Sequence, residues 1–349
     1  MERASPPVVK AGECSRFDTL IDARTPSEFA EDHIPGAVSA PVLGDEERAE
    51  VGTLYKQVSP FEAKKLGAAL VAKNISSVIE KEFRDKPKNW KPLVYCWRGG
   101  KRSGAMAHIL REVGWDAHTL EGGYKAYRRW VVQQLNQIPG QLRFEVIHGP
   151  TGSGKSRFLA ALREAGAQVL DLEALAAHRG SVLGGLPGQP QPSQKMFEST
   201  LLHQLSFLDE KKLVFVEGES KKIGELQVPE ALMQRMRGSP CVLLEAALDT
   251  RVELLLEEYR HFLDDRAALE AQLDCLIALH GKEKIGAWKA LARRGEWREF
   301  VARLLAEHYD PAYRRSSVRN FPGLAAGRQV RIENAREAAF AQAAQQLAR

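Results

Sequence analysis

The segment Gly149-Pro150-Thr151-Gly152-Ser153-Gly154-Lys155-Ser156 constrains this chain more than any other eight residues in it. It follows G-x-x-x-x-G-K-[ST], a pattern in which backbone N–H groups wrap phosphate oxygens, the lysine reaches them, and the hydroxyl meets Mg²⁺. Gly149, Thr151, Gly152, Ser153, Gly154, Lys155 and Ser156 are therefore the expected phosphate-binding residues. Such a loop needs a strand ending before it and a helix beginning after it, because the helix N-terminus supplies unpaired N–H groups. The segment Arg143–His148 reads as the strand, and 156–165 as the helix. Further apolar runs at 167–172, 212–217 and 241–246 predict more strands, so this half reads as a parallel α/β sheet. Gly, Pro and Gln crowd 180–193, which predicts a loop. Beyond Asp249 the pattern turns mostly helical to about Tyr309, with a last helix over 335–347.

Glu217 closes the run Leu213-Val214-Phe215-Val216, and Glu219 follows two residues on. A carboxylate at the end of that strand is where a P-loop protein holds its metal, so Ser156 and Glu217 are the expected Mg²⁺ ligands and Glu219 a further candidate. Nothing in the pattern specifies a nucleobase, and ATP does not follow from it.

The first part of the chain alternates in the same way. A strand over 17–22 precedes a helix start at Thr25-Pro26-Ser27-Glu28, where Thr25 caps, Pro26 suits the first turn and Glu28 completes a capping box. Helix over 60–83, strand over 92–95, helix over 103–113, strand over 114–120 and helix over 124–136 follow. The break at Ile138-Pro139-Gly140 divides the chain into domains at 11–137 and 141–349.

Cys96 lies just past a predicted strand, in Tyr95-Cys96-Trp97-Arg98-Gly99-Gly100-Lys101-Arg102-Ser103. Parallel sheets place their sites at the carboxyl ends of strands. Here two glycines let N–H groups curl around the sulfur, while Arg98, Lys101 and Arg102 add positive charge that favours a thiolate. Cys96, Arg98 and Arg102 are the expected catalytic residues. Cys14, Cys241 and Cys275 have no such surroundings and form no C-x-x-C pair, which excludes zinc-ligand spacing and argues against a disulfide framework. On residues alone, a C-x5-R phosphatase or a general sulfurtransferase fused to a P-loop ATPase or kinase stays open.

Asp22-Ala23-Arg24, Glu28-Phe29, His33-Ile34-Pro35-Gly36-Ala37, the Cys96 loop and Leu120-Glu121-Gly122-Gly123-Tyr124 together resemble the rhodanese family. That resemblance implies a persulfide or selenopersulfide on Cys96. The loop is one residue longer than the common rhodanese form, which suits a tetrahedral, phosphate-sized anion. Other segments carry a more specific resemblance. Gln168-Val169-Leu170-Asp171-Leu172-Glu173, His178-Arg179-Gly180-Ser181, Gln191-Pro192-Ser193-Gln194-Lys195, Glu217-Gly218-Glu219-Ser220-Lys221-Lys222 and His308-Tyr309-Asp310-Pro311 are similar to bacterial tRNA 2-selenouridine synthases.

The resemblance implies a rhodanese-like parallel-sheet domain followed by a P-loop NTPase-like α/β domain with a mostly helical C-terminal part. It also implies the reaction: S-geranylation of a wobble 2-thiouridine from geranyl diphosphate, then selenium transfer from selenophosphate to give 2-selenouridine. tRNA is then the partner, alongside an enzyme that supplies selenophosphate. Arg179 and Lys195 become candidates for contacts to diphosphate or tRNA.

Charge permits such a partner. The net charge is +5, and 282–319 holds ten Lys or Arg against five Asp or Glu, which makes it the expected phosphate-backbone surface. Hydrophobic content of 44% and charged content of 27% describe a globular chain. No apolar run reaches the roughly 20 residues of a membrane span, and the N-terminus lacks a secretory h-region, so the expected location is cytoplasmic, without a membrane.

Overall fold

Both halves place a nucleophile or phosphate loop at the carboxyl end of a central parallel strand, and the sheet order explains why. The structure, a computed structural model, describes residues 7–181 and 183–347, without the side chains of 316–319. The chain forms two compact units, one of residues 1–134 with 193–203, the other of residues 135–192 with 204–349.

In the first unit, β1 (Val8–Val9), β2 (Thr19–Asp22), β3 (Val38–Ser39), β4 (Pro92–Tyr95) and β5 (His118–Leu120) form one sheet in the order β1-β5-β4-β2-β3. Every pairing is parallel. β4 is central and its four residues are buried, as expected where helices cover both faces of a parallel sheet. Helices Lys101–Val113 and Pro60–Val78 pack Met106, Ala107, Leu110 and Ile75 against Ile21, Val94 and Trp90. The helix Pro26–Glu31 is capped by Thr25, whose Oγ1 accepts from the Glu28 N–H while the Glu28 carboxylate accepts from the Thr25 N–H at 3.0 Å.

A buried ion pair fixes the end of β2. Arg24 donates to both Asp22 oxygens, to the Asp32 carbonyl at 2.6 Å, and lies 3.8 Å from the centre of the Tyr124 ring. Asp32 accepts from the Tyr124 hydroxyl at 2.7 Å. The 193–203 segment joins this unit through Arg128, which ion-pairs with Glu198 and donates to Ser199 Oγ at 3.1 Å.

In the second unit, β6 (Arg143–His148), β7 (Gln168–Leu170), β8 (Leu213–Glu217), β11 (Cys241–Ala246) and β12 (Arg328–Ile332) form a second parallel sheet in the order β12-β11-β6-β8-β7. A short hairpin, β9 (Lys222–Ile223) with β10 (Leu226–Gln227), stands apart. Helix Lys155–Glu164 buries Phe158, Leu159 and Leu162 together with Phe340 of helix Glu337–Leu347. The helical part after β11 has its own core, with Leu269, Leu273, Trp288, Phe300 and Leu305 at its centre. No helix among the described residues is long and apolar enough to cross a membrane.

Candidate functional site

The first unit sets Cys96 immediately after β4, under the N-terminus of helix Lys101–Val113. Its sulfur lies 3.2 Å from Ser103 Oγ and accepts from the Gly100 N–H at 3.4 Å. Burial would raise its pKa, but the Ser103 hydroxyl, the N–H groups of Ser103 and Gly100, and the charge of Arg102 outweigh it and hold the thiol below its ordinary value. Cys14 and Cys241 go the other way. Burial and Glu13 push Cys14 up to about 11, and burial with Glu145 raises Cys241. Cys96 is thus set apart by chemistry as well as position.

Close approach holds the loop's shape. A Cβ on Gly123 would stand 2.2 Å from the Cys96 carbonyl oxygen and 2.3 Å from the Gly99 nitrogen, so only glycine lets the Gly122-Gly123 turn seat against the loop. Trp97, Arg98 and Gly99 are exposed, which leaves Arg98 facing solvent at the loop's rim. Arg102 is less free than the sequence suggests. Its Nη1 donates to Glu28 Oε2 at 2.9 Å, the same oxygen that accepts from the Thr25 N–H. The capping box of one helix therefore aims the arginine of another. Ser103 and Glu28 were not nominated from sequence as site residues, although Ser103 directly follows the C-x5-R spacing.

The second unit holds a cleft of about 390 Å³ around the phosphate loop, lined by Gly149, Lys155, Ser156, Arg179, Glu173 and Glu219 among others. Lys155 Nζ donates to the Gly149 carbonyl at 3.2 Å, a contact it can exchange for a ligand's phosphate oxygens. Arg251, nearly buried, donates to the Thr151 carbonyl at 2.8 and 3.0 Å and pairs with Asp310 at 2.6 Å. Asp310, in the His308-Tyr309-Asp310-Pro311 motif, so anchors the arginine that fixes the loop. Arg179 lines the cleft, with its guanidinium 4.8 Å from the Tyr259 ring centre.

The acidic side of the cleft is arranged differently from the sequence expectation. Ser156 Oγ donates to Glu173 Oε2 at 2.9 Å. Glu217 sits behind, buried, accepting from the Glu173 N–H at 2.6 Å through Oε1, with Oε2 unpartnered. Glu173 is therefore the carboxylate against Ser156, reached from Asp171-Leu172-Glu173, a run noticed for its resemblance alone. Burial, then Asp171 and Glu173, raises Glu217 well above the carboxylate range, and burial with Glu173 raises Glu219. Carboxylates whose ionised form is disfavoured by burial and by their neighbours' negative charge fit a divalent cation. Among the described residues no cluster of three or more His, Cys, Asp or Glu could hold a metal by itself. Mg²⁺ in a phosphate loop does not need one, since phosphate oxygens and water complete its shell. Ser156 and Glu173 would hold it, with Glu217 bracing Glu173.

His148, at the end of β6, is also missed by the sequence reading. It is 1% exposed with neither ring nitrogen partnered, and burial, with the charge of Lys155, pushes its pKa down to about 4. Lys195 lies in the first unit, where Nζ pairs with Glu31 at 2.6 Å, and it is not among the residues lining the phosphate cleft.

Two family models match the chain: the rhodanese-like domain over residues 9–129 and the tRNA 2-selenouridine synthase AAA domain over residues 142–294. The tRNA 2-selenouridine synthase of Shewanella halifaxensis is 34% identical over 326 residues, covering 84% of this chain and 87% of that protein. The chain belongs to the tRNA 2-selenouridine synthase family. The synthases of Nitrosomonas europaea and Bdellovibrio bacteriovorus are each 39% identical, over 69% of this chain. Those two alignments span 63% and 64% of the relatives' own lengths. Cys96 and its loop fall within the first matched range and the phosphate loop, Glu173, Arg179, Glu217 and Arg251 within the second, while Asp310 lies beyond it. The rhodanese-like fold of the first unit and the P-loop fold of the second agree with the expectation from sequence, including the helical part after β11.

Proposed function

We propose that this chain converts 2-thiouridine in tRNA to 2-selenouridine in two steps divided between its two sites. In the first, the thiocarbonyl sulfur attacks C1 of geranyl diphosphate, the C–O bond breaks and diphosphate leaves. In the second, the P–Se bond of selenophosphate is cleaved, its phosphoryl group ending on water as phosphate, and the freed hydroselenide attacks C2, from which geranylthiol departs. The order is chemically sound, because a thiocarbonyl sulfur leaves poorly until it is alkylated. A tRNA substrate puts the reaction in the cytoplasm.

The phosphate loop suits the first step. Its N–H groups, Lys155 and Arg179 would take up the charge that grows on departing diphosphate. Mg²⁺, when bound, would neutralise part of that charge. Ser156 and Glu173 would hold the cation, Glu217 braces Glu173 through its N–H, and Arg251 with Asp310 keeps Thr151 in place.

The cysteine loop suits the second. The Gly100 N–H, the helix N-terminus and Arg98 form a phosphate-sized anion cradle, and the Cys96 thiolate is placed to attack the phosphorus of selenophosphate, releasing hydroselenide and carrying the phosphoryl group until water hydrolyses it. The observation that carries this reading is the lowered pKa of Cys96 inside an amide and arginine cradle, in a chain of this family that also holds a complete phosphate loop. Nucleoside mass spectrometry of thiolated tRNA incubated with the protein, geranyl diphosphate, selenophosphate and Mg²⁺ tests it. We expect S-geranyl-2-thiouridine to rise and decay as 2-selenouridine accumulates. Absence of both products would reject the proposal.

A further inference from the structure

A second hollow in the P-loop unit adjoins the phosphate cleft, and its chemistry is the reverse. It lies within the helical part, walled by Phe262, Leu269, Trp297, Phe300 and Leu304, from helices His261–Asp264, Arg266–Asp274 and Trp297–Leu304. Thr151, Leu255, Tyr259 and Tyr309 line both hollows, so the apolar one opens beside the phosphate loop itself. The seam is tight, since a Cβ on Gly152 would meet Leu255 at 2.9 Å.

The polar groups near this mouth are already engaged. The Tyr259 hydroxyl lies 3.1 Å from Ser181 Oγ, Tyr309 also bonds to Ser181, and the Thr151 carbonyl is taken by Arg251. A nucleoside entering here would bury base and ribose groups with few partners, and an unpaired buried polar group is costly. A hydrocarbon would lose nothing and leave water.

We infer that this apolar hollow takes the acyclic isoprenoid tail of the diphosphate held by the phosphate loop, and that its walls select a prenyl diphosphate over a nucleotide. The inference rests on the prenyl diphosphate reading above and adds the tail's site and the residues that choose it. The reacting C1 then lies at the shared mouth, near Thr151 and Tyr259, between leaving diphosphate and anchored tail. The far end runs to the half-buried Leu256, Leu263 and Trp297, which also edge a shallow outer hollow with Glu296 and Arg298.

Isothermal titration of the full chain with Mg²⁺ and four ligands tests this: inorganic diphosphate, dimethylallyl diphosphate, geranyl diphosphate and ATP. Each buried methylene tightens binding about fourfold (about 0.8 kcal/mol). Geranyl diphosphate should therefore bind at least about tenfold tighter than dimethylallyl diphosphate, and tighter still than inorganic diphosphate or ATP. Leu269→Trp, which fills the hollow, should abolish most of that advantage while inorganic diphosphate binds as before. Leu263→Trp, at the half-buried end, should do the same in part and serves if the Leu269 variant fails to fold. If inorganic diphosphate binds but the tail adds nothing, or if ATP matches geranyl diphosphate, the tail site is wrong and the phosphate loop assignment stands. If neither diphosphate nor its prenyl esters bind, the prenyl diphosphate reading falls with it.

Discussion

The two loops are both anion cradles at the end of a central parallel strand, yet they treat charge in opposite ways. The Cys96 loop surrounds a group of its own with donors, and the thiol's pKa falls as a result. The phosphate loop faces a bank of carboxylates, and burial together with repulsion among them raises the pKa values of Glu217 and Glu219, although Lys155 draws that of Glu219 back in part. One loop is completed from within and eases the ionisation of its own thiol. The other, as proposed, would be completed by a phosphate for its N–H groups and a cation for its acids. On the proposed reading, the same strand–loop–helix geometry would supply a nucleophile in one unit and receive a leaving group in the other.

Breaking the brace of the second loop should give the larger effect. Arg251→Ala leaves Asp310 unpaired and frees the Thr151 carbonyl, and loss of one partner of such a shielded pair costs about 3 kcal/mol or more. Geranyl diphosphate affinity should fall by about a hundredfold, on the order of that cost carried into the loop. Titration measures it, and iodoacetamide labelling of Cys96 should stay unchanged. A variant in which labelling also slows would show that the two loops are not independent.

A smaller effect should sharpen the first loop. Ser103→Ala removes the hydroxyl 3.2 Å from the sulfur, the largest of the contributions that lower the thiol's pKa. The thiolate forms as pH rises through the pKa, so the variant's alkylation profile should move to higher pH than that of the native protein. Diphosphate binding should not change. An unmoved profile would assign the lowered pKa to the Gly100 and Ser103 N–H groups and Arg102 alone.

Much of this was legible from the chain alone, and what was missed has physical causes. The strands Arg143–His148, Cys241–Ala246 and Pro92–Tyr95 are each short, mostly apolar and mostly buried segments, which sets them off from their neighbours. Helix Asp45–Gln57 has no buried residue and begins with three acids, so it offers no apolar stripe to read. β1 is two residues long, and β12, an edge strand, is Arg-Gln-Val-Arg-Ile with only Ile332 buried. The phosphate loop and Cys96 were visible because their residues are contiguous. Their supports were not, because Arg251 reaches Thr151 across 100 residues, and Glu28 reaches Arg102 across 74. Glu173 was hidden for a subtler reason. Strand β8 ends in Glu217, which draws the metal reading to itself, whereas the side chain that meets Ser156 comes from the short helix Leu172–Leu175 after β7.

The central claim is the division of labour, and sequential complementation tests it most directly. Thiolated tRNA is treated first with Cys96→Ala protein and geranyl diphosphate, re-isolated, then given to Lys155→Ala protein with selenophosphate. The account predicts S-geranyl-2-thiouridine after the first stage and 2-selenouridine after the second, with neither product when the two proteins are exchanged while geranyl diphosphate is still supplied in the first stage and selenophosphate in the second. Geranylation by the Lys155→Ala protein, or its loss in the Cys96→Ala protein, would contradict it.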